Sequence, residues 1–579
     1  MNKSLLCFAI IFFSFFNSTA QIWDFAKTIG AEQSDKGITT KSDQFGNIVV
    51  SGYISSDNGI FDFGNGITTT NGNPHSKEMF VAKYSSFGNC IWAKTFGAYF
   101  DDRILGMDID ILGNIYITGT FWVNMDIEGI PLGSGGGDEC MIAKLDGSNG
   151  SVIWANFTAG VYDNQGLDIV VDGLGNTYVA GFYYAGVGWA GDVELTLGSI
   201  TIPPFATIES NLYKYWITKM NPAGNFVWAK NFGNLPFDAI ANKYIERDIA
   251  LCTDAQNNVY VAGGFSGTQD FGTFVLTSNG GYDLFALKMD GMGNFLWAKS
   301  AGSNKDDWAN GIASDSLGHV YVVGEHRNAF VMDTVSIKNY DKRDVLILKL
   351  DDSNGTCIWG KRAGNNGGSE RGNDVYANKD CKVYVVGDIG QKANFGSKIE
   401  TPDIGGISSF VARISKNGDW LWAITGGSTD SSDRCNSVDL SPNGKLYVTG
   451  YYKLNPSYGT TNLTNLGKTD AFFATVTDNL VLNCKDQDDE NPLGPISVPN
   501  VYTPNNDNIN ETFYIENLPE NSNLIILNRW GNSVFSSTDY KNNWNGTDNN
   551  GELLVDGVYT YILTLPEQEK IHGFLHILR

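Results

Sequence analysis

An all-β fold is expected for this chain: a seven-bladed β-propeller followed by a small C-terminal β-sandwich of immunoglobulin-like type. Three observations predict it. Three short blocks each recur seven times in the same order. The blocks are rich in β-branched and aromatic residues and run apolar without alternation. Finally, 67 glycines against 15 prolines in 579 residues supply tight turns between many short strands.

Residues 1–20 read as a signal peptide. Lys3 gives the positive start, Leu5 to Phe16 is an apolar run broken only by Ser14, and Ser18, Thr19 and Ala20 are small, so cleavage is expected between Ala20 and Gln21. The run is too short for a comfortable bilayer span and no other stretch approaches one, so no transmembrane segment is expected in the mature chain. A net charge of −24 argues against a nucleic-acid partner, since phosphates require a basic face. Of eight cysteines, Cys7 lies in the signal peptide, which leaves an odd number that cannot all pair within one molecule. Cys90 and Cys357 share one repeat position and read as small buried side chains.

The propeller is expected over residues 21–484. The first block appears as FAKTIG, WAKTFG, WANFTAG, WAKNFG, WAKSAG, WGKRAG and WAITGG, with its aromatic residue at Phe25, Trp92, Trp154, Trp228, Trp297, Trp359 and Trp422. The second runs from GNIVVSG to GKLYVTG, and the third from FVAKY to FFATV. A weaker strand-like stretch between the second and third blocks, such as 273–277, is expected to complete a four-stranded blade. Continuously apolar strands are covered on both faces, as in a sheet sandwiched between neighbours. First and last repeats match the middle ones, so the array needs closure into a ring rather than polar caps. These blocks resemble the bacterial seven-bladed β-propeller repeat family; a right-handed parallel β-solenoid is the alternative.

Charges recur with the blocks. An acid or amide stands at Asp35, Asp102, Asn164, Glu246, Asp307, Glu370 and Asp433, and eight residues later at Asp43, Asp110, Asp172, Asp254, Asp315 and Asn378, with Ser441 in the last copy. Repeated calcium sites are one reading, because hard cations gather carboxylate and carbonyl oxygens. Turn-capping side chains copied with the blade are the other; no DxDxDG-type run is present, and no resident cofactor is expected. A basic row in the third block (Lys83, Lys144, Lys219, Lys288, Lys349, Arg413) is expected to form ion pairs with the acids five residues upstream, Glu78, Glu139, Asp283 and Asp344.

Residues 485–497 are acidic and proline-bearing, as in a linker. Strand signals follow at 512–516, 523–528, 533–536, 558–564 and 572–578. Residues 498–579 carry VYTPNNDNINETF (with Thr503, Pro504, Asn505, Asp507 and Asn510), NRWGNSVF (Asn528, Arg529, Trp530, Gly531), YKNNWNG (Trp544, Gly546), VDGVYTYIL (Asp556, Gly557, Tyr559) and a closing GFLHILR (Gly573). Five ordered motifs of this kind resemble the gliding-motility-associated C-terminal domain of Bacteroidota, the type B sorting domain of the type IX secretion system. The resemblance implies Sec export, passage through the periplasm and recognition by the type IX translocon, ending in secretion or display on the outer cell surface. Trp530, Trp544, Tyr559 and Tyr561 are expected to form the core of this domain.

Catalytic motifs are missing: there is no GxSxG, HExxH or P-loop, and His319 and His326 have no ligand-spaced partners. Aromatic residues outside the repeat register, Trp122, Tyr183, Tyr184, Trp189 and Trp308, are candidates for a ligand surface. The expected function is a non-catalytic binding or adhesion protein whose propeller engages an extracellular glycan or protein. The alternative is a secreted polysaccharide-active enzyme with a loop-built site.

Overall fold

The computed structural model describes residues 21–480 and 498–578 apart from short internal stretches, the longest being 71–75, 186–193, 203–212, 236–248 and 505–510. It divides into two compact units, 1–484 and 485–579. Among the described residues every regular element is a β-strand, and no helix is long and apolar enough to cross a membrane.

Seven sheets in the first unit share one plan of four antiparallel strands, which in six of them run in sequence order from the inside out. In the first blade these are Lys36–Ser42, Ile48–Ile54, Glu78–Tyr84 and Cys90–Phe96. The remaining inner strands are Arg103–Ile109, Asn164–Val171, Ile249–Thr253, Trp308–Ser314, Arg371–Ala377 and Arg434–Leu440. Each inner strand packs on the next, and the last packs on the first. The ring is closed by the start of the chain. Ile22–Ile29 pairs antiparallel with Asp470–Thr477 and so becomes the outer strand of the seventh blade. The sequence repeats are therefore offset from the blades by one strand.

The second, third and first blocks are the second, third and outer strands of a blade. The stretch expected as the fourth strand is not one. Residues 60–62 and 68–70 form a separate two-stranded ribbon, and of 273–277 all but the first residue, which lies in the preceding turn, belong to a long third strand, Phe274–Met289, paired with Val259–Phe271. The innermost strand lies instead between the aromatic block and the second block.

A bulge in the inner strand explains the glycine that ends the second block. Register shifts fall at Gly37/Thr39, Ile104/Gly106, Gly166/Asp168, Ala309/Gly311, Gly372/Asp374 and Cys435/Ser437. Opposite them, a Cβ at Gly52, Gly119, Gly181, Gly324, Gly387 or Gly450 would sit 1.8–2.0 Å from a carbonyl oxygen of the inner strand. Only glycine allows that approach.

The aromatic and basic rows bind each blade to the next. The indole N–H of Trp92 donates to the Gly147 carbonyl at 3.3 Å, Trp297 to Asp352 at 2.8 Å and Trp359 to Lys416 at 2.8 Å. The third-strand lysines reach the same carbonyls, with Lys83 Nζ 2.7 Å from Gly147 O and Lys349 Nζ 3.1 Å from Lys416 O. These lysines do not pair with the acids five residues upstream. Lys83 lies 2.8 Å from Asp43, Lys144 3.4 Å from Asp110 and Lys288 3.5 Å from Asp254. Five residues along a strand separate its two ends, so the upstream acids face the opposite mouth of the ring. Asp43 also caps its turn, accepting N–H bonds from Phe45 and Asn47 at 2.9 Å each, with Gly46 at φ 78°. Cys90, Cys140, Cys252, Cys357 and Cys435 are free, and Cys381 is disulfide-bonded.

The second unit is a five-stranded sheet in the order Val501–Tyr502, Lys570–Ile577, Gly557–Thr564, Asn523–Leu527, Ser533–Ser537, with the first pair parallel. Tyr502, Phe513, Trp544, Tyr559, Tyr561 and Leu575 fill its core. Phe513 and Ile515 are buried there without forming the strand expected at 512–516, and no second sheet is present among the described residues. Trp530 is not a core residue. It is 71% exposed at the tip of a turn capped by Asn528, under the Arg529 guanidinium at 4.2 Å.

Replacing Gly119 by alanine should destabilise the propeller by about 1–3 kcal/mol through overpacking against the Arg103 carbonyl. Urea denaturation of the variant against the parent measures it.

Candidate functional site

Two places in the propeller hold polar or aromatic residues that the repeat does not dictate. The first is an axial cavity of about 230 Å³ lined by all seven inner strands. Its charged residues are Lys41, Asp108, Asp168, Asp374 and Asp439. Each acid bonds to the following blade: Asp108 accepts from Val171 N–H at 2.9 Å, Asp168 from Leu251 N–H at 2.8 Å, Asp374 from Val438 N–H at 3.1 Å, and Asp439 from Ser42 N–H at 2.8 Å. Lys41 Nζ lies 3.6 Å from Asp108 Oδ1. Despite its partial burial, the field of Asp108, Asp439, Asp374 and Asp168 holds the Lys41 ammonium charged and raises its pKa. Burial raises the pKa of the Cys252 thiol lining this cavity, which keeps it protonated and a poor nucleophile. The cavity is a set of stitches between blades. Among the described residues no group of three His, Cys, Asp or Glu side chains is arranged to hold a metal ion.

The second place is an aromatic pair at the opening where the second strands end and the inner strands begin. Trp122 ends the second strand of the second blade, and Phe100 lies in the connection leading into that blade. Each is 44% exposed, and their ring centroids are 4.7 Å apart at 37°. Buried Asp102 holds both segments, accepting N–H bonds from Ala98 at 2.6 Å and Trp122 at 3.2 Å. Burial pushes its carboxyl up to about 7. Beside the rings, Asp101 sits 2.6 Å from Lys77 and 3.1 Å from Arg103. The third blade repeats this arrangement at the same register, with Tyr162 and Tyr184 at 5.1 Å and Tyr213 a further 5.1 Å from Tyr184.

The other candidates divide. Tyr183 is buried, its hydroxyl accepting from Asn231 Nδ2 at 3.2 Å, because strand alternation turns it inward while its neighbour Tyr184 faces out. Trp308 is half-buried edge-on to Tyr282 at 5.2 Å and packs over Gly264, which makes it part of a blade junction. Trp189 lies outside the described residues. Phe100 and Tyr162 carry no sequence signal of their own; they stand two residues before the recurring acid, a position held by Gln33, Tyr244, Lys305, Gly368 and Ser431 elsewhere. His319 Nδ1 sits 2.8 Å from Asp315, while His326 is fully buried with its pKa lowered to about 4 by desolvation.

In the second unit, Asn528 caps the turn that presents Arg529, Trp530 and Gly531. The Trp544 indole donates to Thr547 O at 2.7 Å, and the Gly546 carbonyl accepts from Leu554. Asp556 and Gly557 lead into the strand of Tyr559, whose hydroxyl bonds Val555 O at 2.9 Å. A Cβ at Gly573 would meet the Tyr561 hydroxyl at 2.6 Å and its ring at 2.8 Å. Thr503 and Pro504 follow the short strand at 501–502, while Asn505, Asp507 and Asn510 lie outside the described residues. Opposite the core, Val555, Val558 and Phe574 are 76%, 54% and 71% exposed.

Losing the Lys41 charge should leave the axial carboxylates uncompensated. Lys41→Met is expected to cost about 1–3 kcal/mol at neutral pH, less than a fully buried pair because the side chain is a third exposed. The deficit should shrink as added salt screens the repulsion left among them, which a series of thermal melts would follow.

Comparison with known proteins bears on the two units differently. The propeller is similar to the quinohemoprotein alcohol dehydrogenase from Comamonas testosteroni, at 11% identity over 78% of this chain and 76% of that one, with a TM-score of 0.34. PorZ, an essential surface component of the type IX secretion system of Porphyromonas gingivalis, aligns at 9% identity over 96% and 100% of the two chains, with a TM-score of 0.18. An uncharacterised WD repeat-containing protein of Acanthamoeba polyphaga mimivirus is 25% identical over 130 residues; the match spans 21% of this chain and 8% of that protein's length. These likenesses are too weak to carry function. Residues 496–577, by contrast, match the CHU_C type IX secretion signal domain. The chain thus ends in a type IX secretion signal, which marks it for export to the cell surface or the extracellular space.

Proposed function

We propose that this is a non-catalytic, exported glycan-binding protein, with the propeller as the binding body and residues 498–579 as its address. The observation that carries the reading is the aromatic pair at one register of two neighbouring blades, Phe100–Trp122 and Tyr162–Tyr184. Four other blades hold polar or small residues there, such as Gln33 with Ser55 and Lys305 with Arg327, and the fourth blade has Tyr244 with Ser266. Aromatic faces stack on the C–H faces of pyranose rings, and Asp101, Lys77 and Arg103 alongside supply hydrogen bonds for hydroxyls. A net charge of −24 repels polyanions and favours a neutral polysaccharide. The sorting unit engages the translocon through its exposed apolar face, Val555, Val558 and Phe574, together with the Trp530 turn.

A panel of neutral polysaccharides tests binding by the mature chain. Phe100→Ala with Trp122→Ala should weaken retention about tenfold or more without lowering the melting temperature appreciably. Unchanged retention removes the aromatic strip from the account, and release of reducing ends would replace binding by hydrolysis. Deleting 498–579 should leave the protein in the periplasm, and Phe574→Ser should reduce its arrival outside. Undiminished secretion of the deletion variant would defeat the address assigned to this unit.

A further inference from the structure

The buried acids at the mouth opposite the Lys83 row meet in pairs across the blade junctions. The first residue of each pair begins a third strand, or in the fourth blade lies within the long strand Phe274–Met289, and the second precedes the inner strand of the next blade. Backbone bonds set them side by side: Asp102 N–H donates to Lys77 O at 2.9 Å, Asp307 to Tyr282 O at 2.7 Å, Glu370 to Arg343 O at 3.0 Å, Asp433 to Ile407 O at 2.9 Å and Asp35 to Thr469 O at 2.8 Å. This juxtaposes Glu78 with Asp102, Asp283 with Asp307, Asp344 with Glu370, Ser408 with Asp433 and Asp470 with Asp35, every one of them at most 4% exposed. The glycine ending the aromatic block makes room for the first member. A Cβ at Gly97 would lie 2.0 Å from Glu78, at Gly302 2.4 Å from Asp283, at Gly364 2.3 Å from Asp344 and at Gly30 2.2 Å from Asp470.

Two junctions show what such a pair requires. Between the second and third blades the second member is Asn164, whose Nδ2 donates to Glu139 Oε2. Between the sixth and seventh the first member is Ser408, whose Oγ lies against Gly427 with Asp433 Oδ2. Each places one neutral member beside one carboxylate. At three of the four acid–acid junctions, Asp283 Oδ1, Glu370 Oε2 and Asp470 Oδ1 are buried oxygens with no hydrogen-bond partner among the described residues, whereas at the fourth Ser76 Oγ donates to Glu78 Oε1 at 3.1 Å. A proton on one member supplies the donor that Asn164 supplies at its junction.

We propose that the three acid–acid junctions with an unsatisfied oxygen, Asp283–Asp307, Asp344–Glu370 and Asp470–Asp35, each hold one shared proton, so that the ring is tightest in acid and loosens as alkali removes those protons.

Neighbouring charges leave this standing. Arg362 faces Asp344 at 3.2 Å, with Lys342 and Asp388 near Glu370. Glu32 faces Asp35, and Asp433 lies near the Tyr452 hydroxyl on the same side. Asp306 faces Asp307, and Asp101 and Asp138 face Asp102. Most are acids, which oppose ionisation of the pair. Burial and the facing acid push Glu370 and Asp35 up to about 8, and burial pushes Asp470 and Asp283 to about 6. The folded ring therefore binds more protons than the unfolded chain from about pH 4, the ordinary carboxylate range, up to about pH 8, and stability falls as the pH rises through that window.

Thermal melts of the mature chain from pH 4.5 to 8.5 test this, with and without calcium or a chelator. The parent should lose several degrees toward alkali. Glu370→Gln and Asp470→Asn place a permanent donor at their junctions and should flatten the slope, matching the parent in acid and exceeding it at pH 8. Asn164→Asp creates a fifth acid pair and should steepen it. Slopes that none of the three variants changes would overturn the proposal, as would a melting temperature set by calcium and chelator instead of pH.

Discussion

A sheet that is apolar on both faces cannot end. Val49, Val50, Val322, Val323, Val385 and Val386 lie in second strands with neighbours on both sides, each nearly or wholly buried. Such a strand is stable only when another sheet covers each of its faces, which for seven equal sheets means a ring. Strand Ile22–Ile29 satisfies this requirement by completing the blade at the other end of the propeller. The remaining repeated features follow from it, because a ring of packed sheets has polar rims at both mouths that need satisfied hydrogen bonds.

The recurring signature is accordingly a signature of junctions. Tryptophan and lysine donate to the next blade at one mouth, acid pairs meet at the other, and Asp108, Asp168, Asp374 and Asp439 stitch the inner strands along the axis. Glycines in both blocks mark approaches too close for a side chain, to a backbone carbonyl at Gly119 and to a carboxyl group at Gly364. What the repeat leaves undetermined is where binding capacity can differ from blade to blade. The Asp102 clamp fixes the segments bearing Phe100 and Trp122, so the structural stitch also orients the exposed rings.

Three strands of every blade were legible from the sequence because their apolar runs are long and repeated. The inner strand was not. Short segments such as Lys36–Ser42 mix glycine, threonine and lysine, because one side faces a polar axis and the middle is bulged. The ribbon between second and third strands took its place in the sequence reading because it has the alternation of an ordinary hairpin. Acid rows were visible as positions, but their partners lie across a junction, which spacing along one strand does not reveal. For the same reason Tyr183 looked equivalent to Tyr184 and Phe100 went unnoticed: facing and exposure depend on the blade next door. In the C-terminal unit the motifs were legible as an ordered set, whereas the exposure of Trp530 depends on a turn geometry that composition does not fix.

Closure of the ring by its first strand is the claim on which the other assignments rest, and amide hydrogen exchange in the mature chain measures it directly. The account predicts that amides of Trp23–Ile29 bonded to Asp470–Thr477 exchange as slowly as those within the inner blades. Rapid exchange of that strand, with the rest of the propeller still protected, would contradict a closed ring.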